Sequence, residues 1–322
     1  MRLTDLPLFL AVRDCLTRGH RVALGIFRFL IPIVIAVKVL EVSGLIPWLS
    51  MPMRPFMDIL GLPAEFCLAL LPGMLVSIFS GLMVLVSLLP QLPEISVAQM
   101  TVFGVFLLIA HSLILEIRIA GQCGASMPFQ LVLRVGSAFA AALLLHLILD
   151  GTGLLQGRAN VLLAAEPTAG IAEWSVQQFF NLVRMYVIIC LVMILQKALD
   201  TFRISECVGR LLGPLLRLLG ISSHAVSIVI IGFTMGILYG SGSLISSAQE
   251  NKLSDRDIFC SISLLGLSHS LIEDTLLLSL IGASLWGLLG FRILFTLVIG
   301  ALLNAAWPVL GRYAVRMAQG ER

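Results

Sequence analysis

Two stretches place ionisable side chains inside otherwise apolar sequence: His111, Ser112 and Glu116 in AHSLILE, and His269, Ser270, Glu273 and Asp274 in GLSHSLIEDT. Two imidazoles with two or three carboxylates supply nitrogen and oxygen donors suited to a divalent cation such as Zn, Fe or Mn. The same groups could hydrogen-bond a polar organic solute while a histidine or carboxylate takes up a proton. Residue type alone does not separate these chemistries. Taken singly, such groups would be interhelical hydrogen bonds, each worth well under about 1 kcal/mol in a membrane. Recurrence of His-Ser-Leu-Ile with a carboxylate five residues after each histidine points instead to one shared site. A metalloprotease is not indicated, because HSLIE lacks the HExxH spacing that sets two histidines and a base on one helix face. No G-x-x-x-x-G-K-[ST] loop occurs, so nucleotide hydrolysis by that route is excluded. No catalytic residue and no cofactor are expected, and the chain is not read as an enzyme.

The elements that position these residues have to be membrane helices. The 322 residues are 59% hydrophobic and 12% charged, with a mean hydropathy of +1.04, a composition suited to lipid rather than water. Runs long enough for the roughly 20 residues a span requires occur at 22–45, 64–90, 97–122, 127–149, 181–199, 221–248, 257–285 and 287–311. Their length and continuity exclude barrel strands. The first run follows Arg13, Arg18, His20 and Arg21 and is too long for a signal-peptide core, so it is read as a retained span. Cys15, Cys67, Cys123, Cys190, Cys207 and Cys260 form no CxxC pair and suggest neither a disulfide framework nor a zinc ribbon. The net charge of +3 is what basic cytoplasmic loops give a membrane protein; nucleic acid is not implied.

The chain also repeats itself. AHSLILEIRIAGQCGAS, from Ala110, overlays SHSLIEDTLLLSLIGAS, from Ser268, at a shift of 158, pairing His111 with His269, Ser112 with Ser270, Glu116 with Asp274 and, further on, Arg134 with Arg292. Upstream the shift is 159: Lys38 meets Lys197, Pro55 meets Pro214, and Gly73 and Gly81 meet Gly232 and Gly240. Duplicated halves of this kind build many transporters. Four crossings per half would put Lys197, Arg203, Arg210 and Arg217 outside the cell, against the positive-inside rule. Three crossings plus one run that enters and leaves on the same side invert the second half and gather most Lys and Arg inside, from Arg2 to Arg316 and Arg322. Arg134 falls inside on this tally, and only Arg54, Arg158, Arg184 and Arg292 fall outside. The re-entrant runs are 64–90 and 221–248, whose SGL and YGSGS stretches suggest turns at Gly81, Gly240 and Gly242. Segments 46–62 and 203–219 read as short interfacial helices. The site is then expected at the interface of the halves. On an unbroken helix His269 and Glu273 share a face, whereas His111 and Glu116 are about 500° apart in rotation. Either the helix is interrupted there or each group faces something different.

A duplicated membrane unit with G-x-S-rich re-entrant segments and paired HSLILE and HSLIEDT motifs resembles the nucleoside recognition (Gate) membrane proteins, a group related to ferrous iron transporter pore domains, concentrative nucleoside transporters and spore maturation membrane proteins. GQCGASMP around Cys123 departs in spacing from the iron transporters' Gly-Cys motif and has no cysteine in its second copy. The resemblance implies helical hairpins and broken helices in a prokaryotic inner membrane. The expected architecture is an all-α polytopic membrane protein: a cytoplasmic segment 1–21, membrane repeat 22–149, external linker 150–180, inverted repeat 181–311 and cytoplasmic tail 312–322. Each repeat is expected to hold about three spanning helices, a re-entrant hairpin and an interfacial helix. The expected function is transport of a small polar solute, nucleoside-like, or of an ion. The alternatives are a non-transporting assembly or morphogenesis factor of the spore maturation type, and a divalent metal permease. Expected partners are the bilayer, the solute or ion and, as an open option, further copies of the chain.

Overall fold

The computed structural model describes residues 7–163, 170–250 and 252–314. Arg2, Arg316 and Arg322, which enter the charge tally, lie outside them. The chain is an all-α polytopic membrane protein; among the described residues the only extended pairing is an isolated bridge between Ser96 and Arg158. In order, the helices are α1 (Pro7–Val42), α2 (Ile46–Ser50), α3 (Arg54–Ile59), α4 (Phe66–Leu75), α5 (Ile78–Leu88), α6 (Val97–Ala110), α7 (Leu113–Gln122), α8 (Met127–Thr152), α9 (Ile171–Thr201), α10 (Ile204–Leu218), α11 (Ser223–Met235), α12 (Ile237–Gln249), α13 (Asp255–Ser268), α14 (Glu273–Ser279) and α15 (Arg292–Ala314).

Among the described residues, five stretches are long and apolar enough to cross a membrane: Arg13–Val42, Val97–Gln122, Met127–Thr152, Ile171–Thr201 and Trp286–Gly311. The sixth span expected from sequence, 257–285, consists of α13 and α14 with a break between them. Large apolar side chains such as Ile35, Leu147, Leu191 and Leu302 stand exposed on α1, α8, α9 and α15, where only lipid would leave them at no cost.

The duplication extends to local chemistry. Ser96 opens α6 with a capping box closed by Gln99, and Ser254 opens α13 with one closed by Asp257. Each box satisfies two backbone donors that a helix start leaves open. The two pairs stand 158 residues apart, the same shift as the histidines. In both halves the box-capped helix packs on the long helix that follows it, α6 on α8 and α13 on α15, while α1 packs on α9 across the halves.

Helices α4 and α5 form one antiparallel hairpin, and α11 and α12 the other. At 10 to 13 residues each, and about 1.5 Å per residue, these helices are too short for the roughly 30 Å hydrocarbon core. Their turns are not where the glycine-rich stretches suggest. The first lies at Val76–Ser77, with Ser77 extended and its side chain accepting from the Ser80 N–H. The second is Gly236, at φ 90° and ψ 163°. Gly81, Gly240 and Gly242 all lie inside helices, which corrects their assignment as turn residues. A Cβ on Gly81 would stand 2.9 Å from the Gly73 Cα, and one on Gly240 3.1 Å from the Gly232 Cα. These glycines therefore let the two arms of each hairpin touch, whereas a Cβ on Gly242 would meet no neighbouring atom within 4 Å.

Only glycine occupies the Gly236 conformation without strain, which costs other residues about 1–3 kcal/mol. An added Cβ would also meet Ser270 Oγ at 2.7 Å. Gly236→Ala is expected to lower stability by about 1–3 kcal/mol, and Gly242→Ala, mid-helix in open space, to raise it by up to about 1 kcal/mol. Thermal unfolding of the purified variants checks both. Equal effects would show that turn and helix glycines have been misplaced.

Candidate functional site

Both histidine motifs sit at helix breaks. Helix α6 ends at Ala110, His111 is extended (φ −75°, ψ 162°), Ser112 is left-handed (φ 51°), and α7 begins at Leu113. The second half repeats this: α13 ends at Ser268, His269 is extended (φ −89°, ψ 171°), and Ser270 is left-handed (φ 46°). Each break is held by the tip of the preceding hairpin. The Ser112 N–H donates to the Gly73 carbonyl at 3.2 Å, and the Ser270 N–H to the Gly232 carbonyl at 3.3 Å. Gly73 and Gly232 are themselves repeat partners, so one device positions both histidines.

The breaks meet. His111 Nε2 and His269 Nε2 are 3.1 Å apart, with ring centroids 4.8 Å apart. Glu116 Oε1 stands 3.5 Å from the first nitrogen and 3.2 Å from the second. The interruption at Ser112 thus brings His111 and Glu116 together, which an unbroken helix would not. His111 Nε2 also lies 3.7 Å from Asp274 Oδ2. Glu273, expected to share a face with His269, instead starts the new helix α14 and accepts from Gln196 Nε2 on α9. All five ionisable groups are buried.

Two arginines complete the centre, Arg134 and Arg292, which the charge tally assigns to the inside and the outside. Arg134 and Arg292 are wholly enclosed, because each long helix after a break carries its arginine back alongside it. Each is buried against a helix break rather than standing in a loop, so neither adds to a loop's basic charge. Arg134 donates from Nη1 to Glu116 Oε2 at 2.6 Å, from Nε to the Ile109 carbonyl and from Nη2 to the His111 carbonyl, both at 2.9 Å. It therefore satisfies carbonyls that the break exposes while neutralising the carboxylate. Its stem lies against Gly266, where a Cβ would come within 3.2 Å of Arg134 Cδ. Arg292 donates from Nη2 to the His269 carbonyl at 3.1 Å, but its Nε and Nη1 have no hydrogen-bond partner among the described residues, nor has Asp274 Oδ2. The two halves are thus alike in backbone and unequal in charge pairing. Their recurrence at the histidine shift was the signal that would have found both arginines.

A cavity of about 380 Å³ opens on this centre, lined by His111, Ser112, Glu116, His269, Ser270 and Asp274 and walled by Gly25, Ile26 and Phe29 of α1. A second cavity of about 560 Å³ is lined by Asp14, Arg18, Lys197, Asp200, Arg203 and Glu206. Gln196 and Met235 line both, so the Gln196–Glu273 hydrogen bond stands where the charged vestibule meets the buried site.

Residues 23–125 match the family model Gate, described as nucleoside recognition. That stretch runs from α1 through the first helix break and includes His111, Ser112 and Glu116. The chain is 24% identical over 297 residues to a Bacillus subtilis (strain 168) protein described as the uncharacterized membrane protein YvoD, covering 91% of this chain and 93% of the relative. No solved structure matches it.

Proposed function

We propose that this Gate-domain membrane protein is a transporter of the prokaryotic inner membrane, carrying a small polar solute or ion through a centre shared by two inverted repeats. The observation that carries the reading is the meeting of the two helix breaks, with their histidines 3.1 Å apart beside a cavity that reaches a charged vestibule through Gln196 and Met235. Broken helices meeting at a repeat interface are the usual setting for a transported species. Buried ionisable groups in lipid persist chiefly where they pair or face such a path. Arg18, Lys197 and Arg203 around the vestibule favour the cytoplasmic side for that mouth, and with it cytoplasmic termini and an external linker. His111, Ser112, Glu116, His269, Ser270, Glu273 and Asp274 are the binding residues.

Flux into proteoliposomes tests the reading, with nucleosides, divalent cations and small anions supplied in turn. A hydrogen bond to a charged group is worth about 1.5–3 kcal/mol, or roughly 10- to 100-fold in affinity. One class is expected to be taken up, with at least that loss in Glu116→Gln and in His269→Asn. Variants that fold and carry as well as the wild type, or no uptake of any class, would assign the centre to structural support, the role it would have in an assembly factor.

A further inference from the structure

We infer that the centre binds a transition-metal dication, with His111 Nε2, His269 Nε2 and Glu116 Oε1 as ligands and a fourth position facing Asp274 and the cavity. Only the cation's role as cargo rests on the transporter reading. His111 Nδ1 lies 3.2 Å from the Leu108 carbonyl and His269 Nδ1 2.8 Å from the Leu265 carbonyl. A carbonyl only accepts, so each neutral ring carries its hydrogen on Nδ1 and turns an unprotonated Nε2 inward. Two nitrogen lone pairs and a carboxylate oxygen then face one another 3.1, 3.2 and 3.5 Å apart. Asp274 Oδ2, without a hydrogen-bond partner, adds a fourth acceptor 3.7 Å from His111 Nε2. Four converging acceptors repel unless something positive lies among them, and one proton bridges only two.

The spacing itself is close to that of a metal site. Metal–nitrogen bonds of about 2.0–2.1 Å and metal–oxygen bonds of about 2.0–2.2 Å give a tetrahedron with edges of about 3.3–3.6 Å, within about 0.2 Å of the three separations here. The outer contacts match as well, since ligating histidines donate their other N–H to a backbone carbonyl and ligating carboxylates are hydrogen-bonded in turn. Here Arg134 holds Glu116 Oε2 and leaves Oε1 free. Two imidazoles favour zinc, iron or cobalt over magnesium or calcium. The group formed by His111, Glu116 and His269 has its ligand atoms within 4.8 Å of one another, and it joins the two repeats, so a bound cation would tie the halves together.

Cobalt titration of the chelator-stripped, detergent-purified protein tests the site. One Co2+ per chain is expected, with the ligand-field absorption of a tetrahedral nitrogen and oxygen environment, displaced by Zn2+ and not by Mg2+. His111→Gln, His269→Gln and Glu116→Gln are expected to weaken binding by more than the roughly 10- to 100-fold that outer contacts contribute. Cys207→Ser, which removes an exposed thiol, is expected to change nothing. Should the histidine variants fail to fold, the zinc-edge absorption spectrum of the wild-type protein decides, with two imidazole nitrogens expected. Sulfur in that spectrum, a band lost with Cys207, or no saturable binding overturns the site, the last leaving a proton as occupant. Metal binding without flux would retain the site and remove the transporter reading. Flux of an organic solute without metal binding would do the reverse.

Discussion

Replacing Arg134 by alanine is expected to cost about 3–5 kcal/mol of stability, the range for removing one partner of a buried ion pair. The loss has two sources. Glu116 is left buried without its counter-charge, and the carbonyls of Ile109 and His111 lose the donors that fill the α6 break. An unpaired buried acceptor by itself costs about 1–3 kcal/mol. Arg292→Met is the informative contrast. Arg292 makes a single hydrogen bond and has two nitrogens without partners among the described residues. Removing this incompletely paired charge recovers part of its burial penalty, while the His269 carbonyl loses its donor at a cost of about 1–3 kcal/mol, so the net loss should be well below that at Arg134. The double variant Arg134→Met/Glu116→Gln should recover part of the single-variant loss, because residues in contact are coupled. Unfolding in mixed micelles measures all three. Equal losses at Arg134 and Arg292 would show that the asymmetry of the centre has no energetic weight.

That asymmetry bears on how much the amino-acid sequence discloses. The 158-residue shift pairs His111 with His269 and Arg134 with Arg292, and a contact between the motifs follows once the halves face each other. The helix break does not follow, since AHSLILE contains no glycine or proline to mark it. Ser112 adopts a left-handed conformation because the Gly73 carbonyl, on a hairpin tip almost forty residues earlier, accepts its N–H. That is a tertiary cause without a local sign. The glycines fail for the opposite reason. GILYGSGS holds several, and composition cannot tell the one needed for positive φ, Gly236, from Gly240, needed for close approach. The burial of the arginines does not follow either, because each lies near the start of a long helix, where a basic side chain can usually reach water.

Glu273→Gln is expected to leave stability unchanged or raise it by about 1 kcal/mol while lowering flux at least tenfold, a combination that separates a working site from structural glue. Glu273 is buried beside the equally buried Asp274, and no arginine, lysine or histidine lies within ion-pair distance of it among the described residues; its side-chain partner is Gln196. If the carboxyl is protonated, the amide is a near-isosteric neutral replacement. If it is ionised, the change removes a buried charge whose effective burial penalty is several kcal/mol. What it gives up is the difference between a charged and a neutral hydrogen bond, about 1–1.5 kcal/mol. In neither case does the fold lose. Transport has more at stake, because the Gln196–Glu273 contact lies where vestibule and site cavity join. On the proposed path, a solute or cation entering from the vestibule would pass the Gln196–Glu273 contact. Stability gained by removing a polar group while activity falls is the usual trade at functional sites. Parallel thermal unfolding and proteoliposome flux of Glu273→Gln provide the comparison. A variant that loses stability but carries as well as the wild type would place Glu273 in the scaffold and close the proposed path through Gln196.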